Sequence, residues 1–568
     1  MLFTVVGCIK SLGVFYVDFG WPLLSGSTAM ESVMERMGYR KWTSVPRIIL
    51  WECKYWLLPV VALATLVRFH DLTEPTIWFD EAFSALLSAY PPSLIWFHAA
   101  HDVHPPLYYL LLHGWMAMVG NGVFAVRSLS VFVGVVTVVL GAWLACLVAT
   151  RRAACLATLL LALLPIAVRY SQEVRMYALL GVWTMGATIA LYYWVKNPQR
   201  HHCLILYVLL IVAGLYTHYF AAFCLLSHWL YLLFLFRFEP PDGHLISRSG
   251  WWLANGAMVI LYLPWVPELI VQFSHSLPLV GWVSPPSRFS LPSMIWQFLT
   301  LNDGLDLPWL SYVTLPLMIA GASVWLVWHD TGHHKLTALL VMYTWAPALV
   351  VFFISFQHSF FNTRYFVFAA SGLPLILAIT VDQLMRRYQV SALLLLVLLL
   401  GMEGVGLSNV YAQRSKLNYF GRQFNDQVGR TVEEINQRFE VGDRIVVDAM
   451  FWYLSVLYYN KTSAQPQLYA PAGSSTYLGR GDERGGGTFF YQDNDSVYLY
   501  SLGSLPPDTK RVWLMSASSA DGLITVPHNW RQVSVLNGGD TQVKLYVLCS
   551  PVVATASQST TNKTCTEN

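Results

Sequence analysis

The sequence predicts a polytopic α-helical membrane protein of about 11 spans, followed by a C-terminal extracytoplasmic α/β domain. Two features of the composition predict this class. Charged residues make up 12% and hydrophobic residues 55% of the 568 residues, whereas soluble domains carry about 25% charged residues. Apolar runs of span length recur up to about residue 408, after which the sequence becomes polar and mixed. The net charge of +3 gives no indication of nucleic-acid binding.

Apolar runs that approach the roughly 20 residues of a transmembrane helix define a transmembrane domain at 55–409. The predicted spans are 55–69, 128–149, 153–168, 177–195, 203–217, 219–236, 251–270, 309–328, 336–356, 365–382 and 390–408. Residues 1–54 lack the basic start and the small-residue cleavage site of a signal peptide. We therefore predict a cytoplasmic or interfacial arm there.

Basic residues in alternate loops predict the orientation of the domain. The positive-inside rule places such loops in the cytoplasm. They carry Arg151, Arg152, Lys196, Arg200, Arg237, Arg248, Lys335, Arg386 and Arg387. The first external loop at 70–127, the long external loop at 271–308 and the C-terminal region are then extracytoplasmic, in a multi-pass protein of the cell membrane.

The segment 104–120 is apolar but short, and a span there would move the later basic loops to the other side of the membrane. We predict an amphipathic helix on the outer surface, with Pro105 and Pro106 in its first turn. A twelfth span is the alternative.

The region 410–550 has the patterns of a soluble α/β domain. A helical pattern at 429–439 precedes β patterns at 443–450 and 510–518 and a hairpin at 532–550. Residues 551–568 are polar and predict a flexible tail. Outside the cell, Cys549 and Cys565 can form a disulfide.

Two adjacent acids in the first external loop, Asp80 and Glu81, are the first candidates for chemistry. Acids favour helix N-termini, so a capping role for the next helix is one interpretation. The other is a general base at the membrane surface, because apolar neighbours raise the proton affinity of a carboxylate.

The second candidate is the segment 169–177, with Arg169, Glu173, Arg175 and Tyr177. An interfacial Arg–Glu pair is the structural interpretation. The functional interpretation is phosphate binding, because arginine binds phosphate with two hydrogen bonds.

Arg364 is the only cation between two predicted spans, and it fits either an interfacial anchor or a phosphate ligand. Histidines and an acid are dense around 98–104, with His101, Asp102 and His104. Such residues can bind a divalent metal, although their spacing fits no zinc signature and hydrogen-bonded histidines are the alternative. Arg127 follows this loop and can neutralise its acids.

The outer surface thus combines a candidate base with separate cations, which suits a phosphorylated lipid and a hydroxyl acceptor. The sequence contains no glycine-rich phosphate loop that would indicate a soluble nucleotide donor.

Five motifs in this order resemble the bacterial protein O-mannosyltransferase-like glycosyltransferases. They are "WFDEAFS", "HPPLYYLLLHGW" with "FAVRSLS", "RYSQEVRMYAL", "YTHYF" and "NTRYF", within residues 55–410. The aminoarabinose transferase that acts on lipid A and the catalytic subunits of oligosaccharyltransferases are more distant relatives.

The resemblance implies a GT-C fold and an inverting sugar transfer from a polyprenyl-phosphate donor to a protein, lipid or glycan on the outer face. Asp80 matches the family's catalytic aspartate, and Glu81 is its companion acid. By position in the motifs, we expect substrate or donor-phosphate binding by a further set: Arg127, Glu173, Arg175, Tyr177, His218, Tyr219, Arg364 and Tyr365.

A single glutamate flanked by arginines stands where oligosaccharyltransferases carry an acidic metal motif. We therefore expect a monophosphate donor and no obligatory divalent ion, because cations can stabilise a departing phosphate. Asp102, His104 and His218 remain possible metal ligands, and His101, Asp102 and His104 are expected to support the first loop.

Two other functions compete with sugar transfer. A lipid or sugar transporter or flippase requires ionisable residues near the middle of the bilayer, but here the acids lie mainly in loops, with Glu403 the main exception. A polysaccharide polymerase or ligase of another fold shares the lipid-phosphate chemistry.

Overall fold

The computed structural model describes residues 45–239, 244–276, 283–414, 427–471, 497–520 and 524–549. Most of the predicted arm and the predicted tail lie outside these ranges. Cys549 is disulfide-bonded, but Cys565 lies outside the described residues, so their pairing stays a prediction. Helices build the described chain up to Tyr411, and a sheet with two helices builds the remainder.

The described helices up to residue 411 are mainly apolar, and the two helices after it belong to the C-terminal domain. In chain order they are α1 Val45–Phe69, α2 Phe79–Ser88, α3 Pro92–Ala100, α4 Leu107–Val119, α5 Val123–Val148, α6 Arg151–Leu163, α7 Pro165–Ser171, α8 Tyr177–Lys196, α9 His201–Thr217, α10 Ala221–Phe238, α11 His244–Ser247, α12 Ser249–Tyr262, α13 Val266–Ser276, α14 Ser290–Thr300, α15 Trp309–His329, α16 Leu336–Ile354, α17 Val367–Ala370, α18 Leu373–Met385, α19 Gln389–Tyr411, α20 Val428–Arg438 and α21 Met450–Tyr459.

Seven of the described helices are long and apolar enough to cross a membrane, or nine if each of two bent pairs is one span. The bent pairs are α6 with α7, at 51°, and Thr363–Ala370 with α18, at 45°. Shorter apolar helices at Trp56–Phe69 and His201–Thr217 coincide with the two other predicted spans. The polytopic helical class is therefore confirmed, and the count of eleven stays a prediction.

Two predicted boundaries need comment. The arm was expected to end at 54, but α1 already begins at Val45. Charged residues at 52 and 54 interrupt the apolar run without breaking the helix, because Glu and Lys are good helix formers.

Helix α4 has 13 residues, or about 20 Å at 1.5 Å per residue, which is too short for a hydrocarbon core of about 30 Å. It therefore suits a surface position better than a twelfth span.

In its described residues, the C-terminal domain contains a six-stranded sheet with the order β3-β2-β1-β4-β6-β5. Its strands are β1 Arg444–Val447, β2 Gln467–Tyr469, β3 Tyr498–Leu499, β4 Arg511–Ala517, β5 Trp530–Gly538 and β6 Thr541–Leu548. The first four are parallel, and β6 pairs antiparallel with β4 and β5. Gly539 turns the predicted hairpin with φ +75°, a conformation that glycine adopts freely. The predicted α/β class is confirmed, although β2 and β3 are too short to be visible as patterns.

Candidate active site

The loop at 70–127 places its two acids on the first turn of α2, where they point in different directions. Successive helical residues are rotated by about 100°. The Asp80 side chain is 23% exposed, whereas Glu81 is completely buried. The two acids that the sequence grouped together therefore lie in different environments.

Glu81 forms a buried ion pair with Arg127, which lies in the first turns of α5. Arg127 Nε and Nη2 donate to the two carboxylate oxygens at 2.9 and 2.7 Å, and both side chains are fully buried. Arg127 also donates to the carbonyls of Leu72 and Pro75, both at 2.8 Å, while the N–H of Val174 donates to Glu81 at 3.0 Å. These protein acceptors enclose the guanidinium of Arg127, and its expected contact with the donor stays a prediction. The pair instead joins the first loop to α5 and to the segment before α8.

Asp80 lies against two cations that come from distant parts of the chain. Arg364 Nη1 is 3.2 Å from Asp80 Oδ2, and Arg175 Nε is 4.0 Å from the same oxygen. Arg364 lies in the 3₁₀ turn Thr363–Phe366 at the bend before α18, and Arg175 lies just before α8. Both arginines are at least nine-tenths buried. The fold thus brings the candidate base and two candidate phosphate ligands to one place.

Arg175 is held by a chain of polar contacts that ends at Asp102. Its Nη2 is 3.3 Å from His104 Nε2, and His104 Nδ1 is 3.1 Å from Asp102 Oδ2. A guanidinium only donates, so Nε2 accepts and the ring proton lies on Nδ1. Burial lowers the pKa of His104, an effect that the Asp102 hydrogen bond opposes. His104 therefore acts here as a neutral orienting group for Arg175.

Aromatic rings form a wall next to these charges. His218 packs near His104, Tyr177 and Tyr365, with ring centroids 5.7, 5.9 and 5.5 Å away. Its Nδ1 accepts the N–H of Phe220 at 3.1 Å, and burial lowers its pKa well below the usual value. Neutral His218 therefore carries its ring proton on Nε2, which makes it a hydrogen-bond donor in this wall.

Three of the predicted site residues form ion pairs or hydrogen bonds with residues other than Asp80, Arg175 and Arg364. Glu173 is buried and pairs with Arg169 at 2.8 Å, and burial raises its pKa. Tyr219 accepts from Trp265 at 3.0 Å and donates to Gln272. His101 donates to the carbonyl of Phe97 at 2.8 Å at the end of α3. The partners of Glu173 and Tyr219 are parts of the fold, so their expected substrate contacts stay predictions. The contact of His101 lies within the first loop, where a supporting role was expected.

A metal site at Asp102, His104 and His218 does not fit the arrangement of these side chains. Both ring nitrogens of His104 are engaged, and one faces the guanidinium of Arg175, which repels a cation. In the described ranges, no three His, Cys, Asp or Glu side chains cluster so as to hold a metal ion. The geometry of the described residues gives no support for metal binding by Asp102, His104 and His218, which stays a prediction.

Sequence reasoning missed three residues that border the cluster. The Trp78 ring lies 5.8 Å from the guanidinium carbon of Arg364, and Ser84 Oγ is 3.3 Å from Arg175 Nη1. The buried hydroxyl of Tyr109 makes no hydrogen bond to the described residues. Trp78 and Ser84 flank the acids within one motif, which was a usable signal. Tyr109 lies in the motif "HPPLYYLLLHGW", but nothing in that apolar helix distinguished it from its neighbours.

One family model matches part of the chain. Residues 103–267 match the family model described as dolichyl-phosphate-mannose-protein mannosyltransferase. This range contains Arg127, His104, Arg175 and His218 but neither Asp80 nor Arg364. No match was found among curated proteins.

Two solved structures of one enzyme share the fold at low sequence identity. ArnT from Cupriavidus metallidurans in the apo state has a TM-score of 0.59 and 13% identity over 87% of this chain and 98% of that chain. The same enzyme bound to undecaprenyl phosphate has a TM-score of 0.58 and 11% identity, with the same coverage. An Archaeoglobus fulgidus oligosaccharyltransferase in the apo form has a TM-score of 0.48 and 11% identity over 83% of this chain and 71% of that chain.

These comparisons favour an enzyme over a transporter. The fold shared with ArnT also disfavours a polysaccharide polymerase or ligase of another fold. By a family match over residues 103–267 and by its fold, the chain is similar to the mannosyltransferase-like membrane glycosyltransferases of the GT-C fold.

Proposed function

We propose that the protein transfers a sugar from a polyprenyl-phosphate donor to an acceptor hydroxyl on the extracytoplasmic face of the membrane, with inversion at the anomeric carbon. The observation that carries this proposal is the position of Asp80. Its carboxylate is partly exposed and lies 3.2 Å from Arg364 and 4.0 Å from Arg175. A base next to two phosphate ligands is what such a transfer requires.

The transfer is one displacement in which Asp80 acts as the general base. Its carboxylate takes the proton of the acceptor hydroxyl, and the acceptor oxygen forms a bond to the anomeric carbon. The bond between that carbon and the phosphate oxygen breaks, and polyprenyl phosphate leaves with the electron pair. Attack opposite to the leaving phosphate inverts the configuration.

Arg175 and Arg364 bind the donor phosphate in this proposal. Guanidinium groups bind phosphate through parallel hydrogen bonds, and in a buried site they stabilise charge that develops on the leaving group. Arg175 Nε makes no hydrogen bond in the described part of the chain, so it keeps a donor for a ligand. The fold shared with ArnT, which has been solved with undecaprenyl phosphate, supports this class of donor.

Glu81 and Arg127 have a supporting role in this mechanism. Their buried pair fixes the loop that carries Asp80, so Glu81 acts on catalysis through position. His218, Tyr177 and Tyr365 line the same space and are proposed to contact the sugar, since aromatic rings and hydroxyls suit a carbohydrate.

No divalent ion is obligatory in the proposed mechanism, because two guanidinium groups supply the positive charge next to the phosphate. Purified protein treated with a strong chelator is expected to keep its rate of transfer. A strict requirement for added manganese or magnesium would contradict this part of the proposal.

Reconstitution tests the proposed reaction directly. The purified protein is placed in vesicles with a pool of polyprenyl-phosphate sugars and candidate protein, lipid and glycan acceptors, and the products are identified by mass spectrometry. We expect one glycosylated acceptor, formed together with free polyprenyl phosphate and with inverted anomeric configuration by NMR. Retained configuration, or a product formed without consumption of the lipid-linked donor, would contradict the proposal.

A further inference from the structure

The C-terminal domain contacts the helix that carries Asp80. Its helix α21 packs along α2, and the Phe451 ring of α21 stacks on Phe79 with centroids 5.8 Å apart and planes 15° from parallel. Phe79 is the first residue of α2 and directly precedes Asp80. The soluble domain therefore packs against the turn that presents the candidate base.

A second contact lies at the other end of α21. The backbone N–H of Ile77, two residues before α2, donates to the hydroxyl of Tyr459 at 2.9 Å. Ile77 is completely buried, and a buried N–H without a partner costs about 1–3 kcal/mol. Tyr459 thus fixes the backbone on the approach to α2, because its hydroxyl is the partner of this buried N–H.

The neighbouring Tyr458 fixes a different part of the same loop. Its hydroxyl donates to the carbonyl of Asn121 at 2.8 Å, just before α5, which carries Arg127. The C-terminal domain therefore holds both segments that the Glu81–Arg127 ion pair joins.

Gly429 of α20 packs against the ring of Tyr459. A Cβ at this position would lie 2.9 Å from Cζ of the Tyr459 ring, which is too close without movement of the ring. The glycine lets α20 approach the ring closely, so the position of the hydroxyl depends on packing inside the C-terminal domain.

We propose that Phe451 and Tyr459 of the C-terminal domain are positioning residues for sugar transfer, which hold the first turn of α2 so that Asp80 meets the acceptor hydroxyl. This proposal rests on the proposed function, since it assigns the soluble domain a role in that reaction. Small displacements of a reacting group matter, because a shift of about 1 Å can lower a rate by about 100-fold.

The test is the full-length Tyr459→Phe variant, with Tyr453→Phe as its matched control. Tyr453 lies on the same helix and donates to the carbonyl of Pro466 at 2.8 Å, within the C-terminal domain. We expect Tyr459→Phe to lower kcat about 10-fold while KM for the lipid donor stays within about twofold, because Arg175 and Arg364 lie on other elements. Tyr453→Phe is expected to lower the melting temperature and leave kcat unchanged.

Two further variants keep the result independent of that one hydroxyl. Phe451→Ala should lower kcat similarly, and Phe451→Tyr, which keeps the stacked ring, should restore it. Gly429→Ala retains the Tyr459 hydroxyl but displaces its ring, so it should also lower kcat.

Hydrogen exchange tests the positioning role of Tyr459 independently of whether the proposed sugar transfer is correct. In Tyr459→Phe, exchange at residues 77–83 should accelerate while the C-terminal sheet keeps its protection, whether or not the tested substrates are turned over. Equal kcat and equal exchange at 77–83 in Tyr459→Phe and Tyr453→Phe would overturn the positioning role. If wild-type protein transfers no sugar but Tyr459→Phe still accelerates exchange at 77–83, the proposed function is wrong. The effect of Tyr459 on the first turn of α2 is then still supported.

Discussion

Asp80 and Glu81 are adjacent in the chain, but at the residue scale they have opposite surroundings. Asp80 keeps 23% of its side chain exposed, whereas Glu81 accepts two hydrogen bonds from Arg127 and is completely buried. The sequence indicated that this pair of acids is important. It did not indicate which acid is buried, because that depends on Arg127, 46 residues further along the chain.

Removal of Arg127 should destabilise the protein strongly. An unpaired buried charge costs about 3–5 kcal/mol, so Arg127→Leu is expected to unfold at a much lower temperature in detergent. Arg386→Leu is the control, because Arg386 also pairs with a carboxylate but its side chain is 60% exposed, and such pairs contribute about 0–1 kcal/mol. Equal melting temperatures of the two variants would show that the Glu81 pair does not hold the loop.

The stability of the protein should fall as the pH decreases below about 6.5. Burial lowers the pKa of both His104 and His218, while unfolded histidine titrates near 6.5. Below that pH the unfolded chain binds more protons than the folded chain, so the free energy of unfolding decreases; above it both states are neutral and this contribution is constant. Melting temperatures of wild type and of a His104→Asn/His218→Asn variant at pH 7.5, 6.5 and 5.5 measure the effect. Wild type should lose more stability between pH 6.5 and 5.5, and an equal loss would contradict the assignment.

At the scale of elements, bends and close helix contacts bring the site together. The segment with Arg175 follows the bent pair α6–α7, and Arg364 lies at the start of the other bent pair. Gly406 lets α19 lie close to α7 and α14. A Cβ at this position would lie 2.3 Å from Pro165 Cγ and 2.8 Å from the carbonyl oxygen of Leu299.

Gly406→Ala should therefore destabilise the helix packing by about 1–3 kcal/mol, the usual cost of an overpacked contact. Gly404 on the same helix has no atom within 4 Å of a built Cβ. Gly404→Ala should be neutral or slightly stabilising, because alanine favours a helix more than glycine. The melting temperatures of the two variants test this, and destabilisation by both would point to a general intolerance of α19 instead.

Most elements were predictable because their signals are local. Apolar runs located the long helices, and alternation with a glycine turn located β5 and β6. Helix α1 begins before the predicted span at 55–69, because charged residues interrupt the apolar run but not the helix. Among the site residues, the sequence motifs contained Asp80, Arg175 and Arg364, but the enclosure of Arg127, the partners of Tyr219 and the role of Tyr459 depend on contacts between distant segments.

On the scale of the whole molecule, the candidate site and the C-terminal domain should share one side of the membrane. Lys461 of the C-terminal domain has a 72% exposed side chain, and Arg386 lies in a predicted cytoplasmic loop. Single cysteines at these positions, in a background without reactive native cysteines, report the two sides. A membrane-impermeant maleimide should label Lys461→Cys in intact cells and Arg386→Cys only after lysis. Labelling of both before lysis, or the reverse pattern, would contradict the orientation.

The central claim is that Asp80 removes the acceptor proton while Arg175 and Arg364 bind the donor phosphate. The variant Asp80→Asn separates these two roles. This variant removes the base and also removes the negative charge that lies against Arg175 and Arg364. The decisive measurement pairs its kcat with its affinity for undecaprenyl phosphate, using Arg364→Gln for comparison. We expect Asp80→Asn to lose at least about 100-fold in kcat and to bind undecaprenyl phosphate as tightly as wild type or more tightly, while Arg364→Gln loses affinity. An Asp80→Asn protein that still turns over within tenfold of wild type, or that no longer binds the lipid phosphate, would contradict the account.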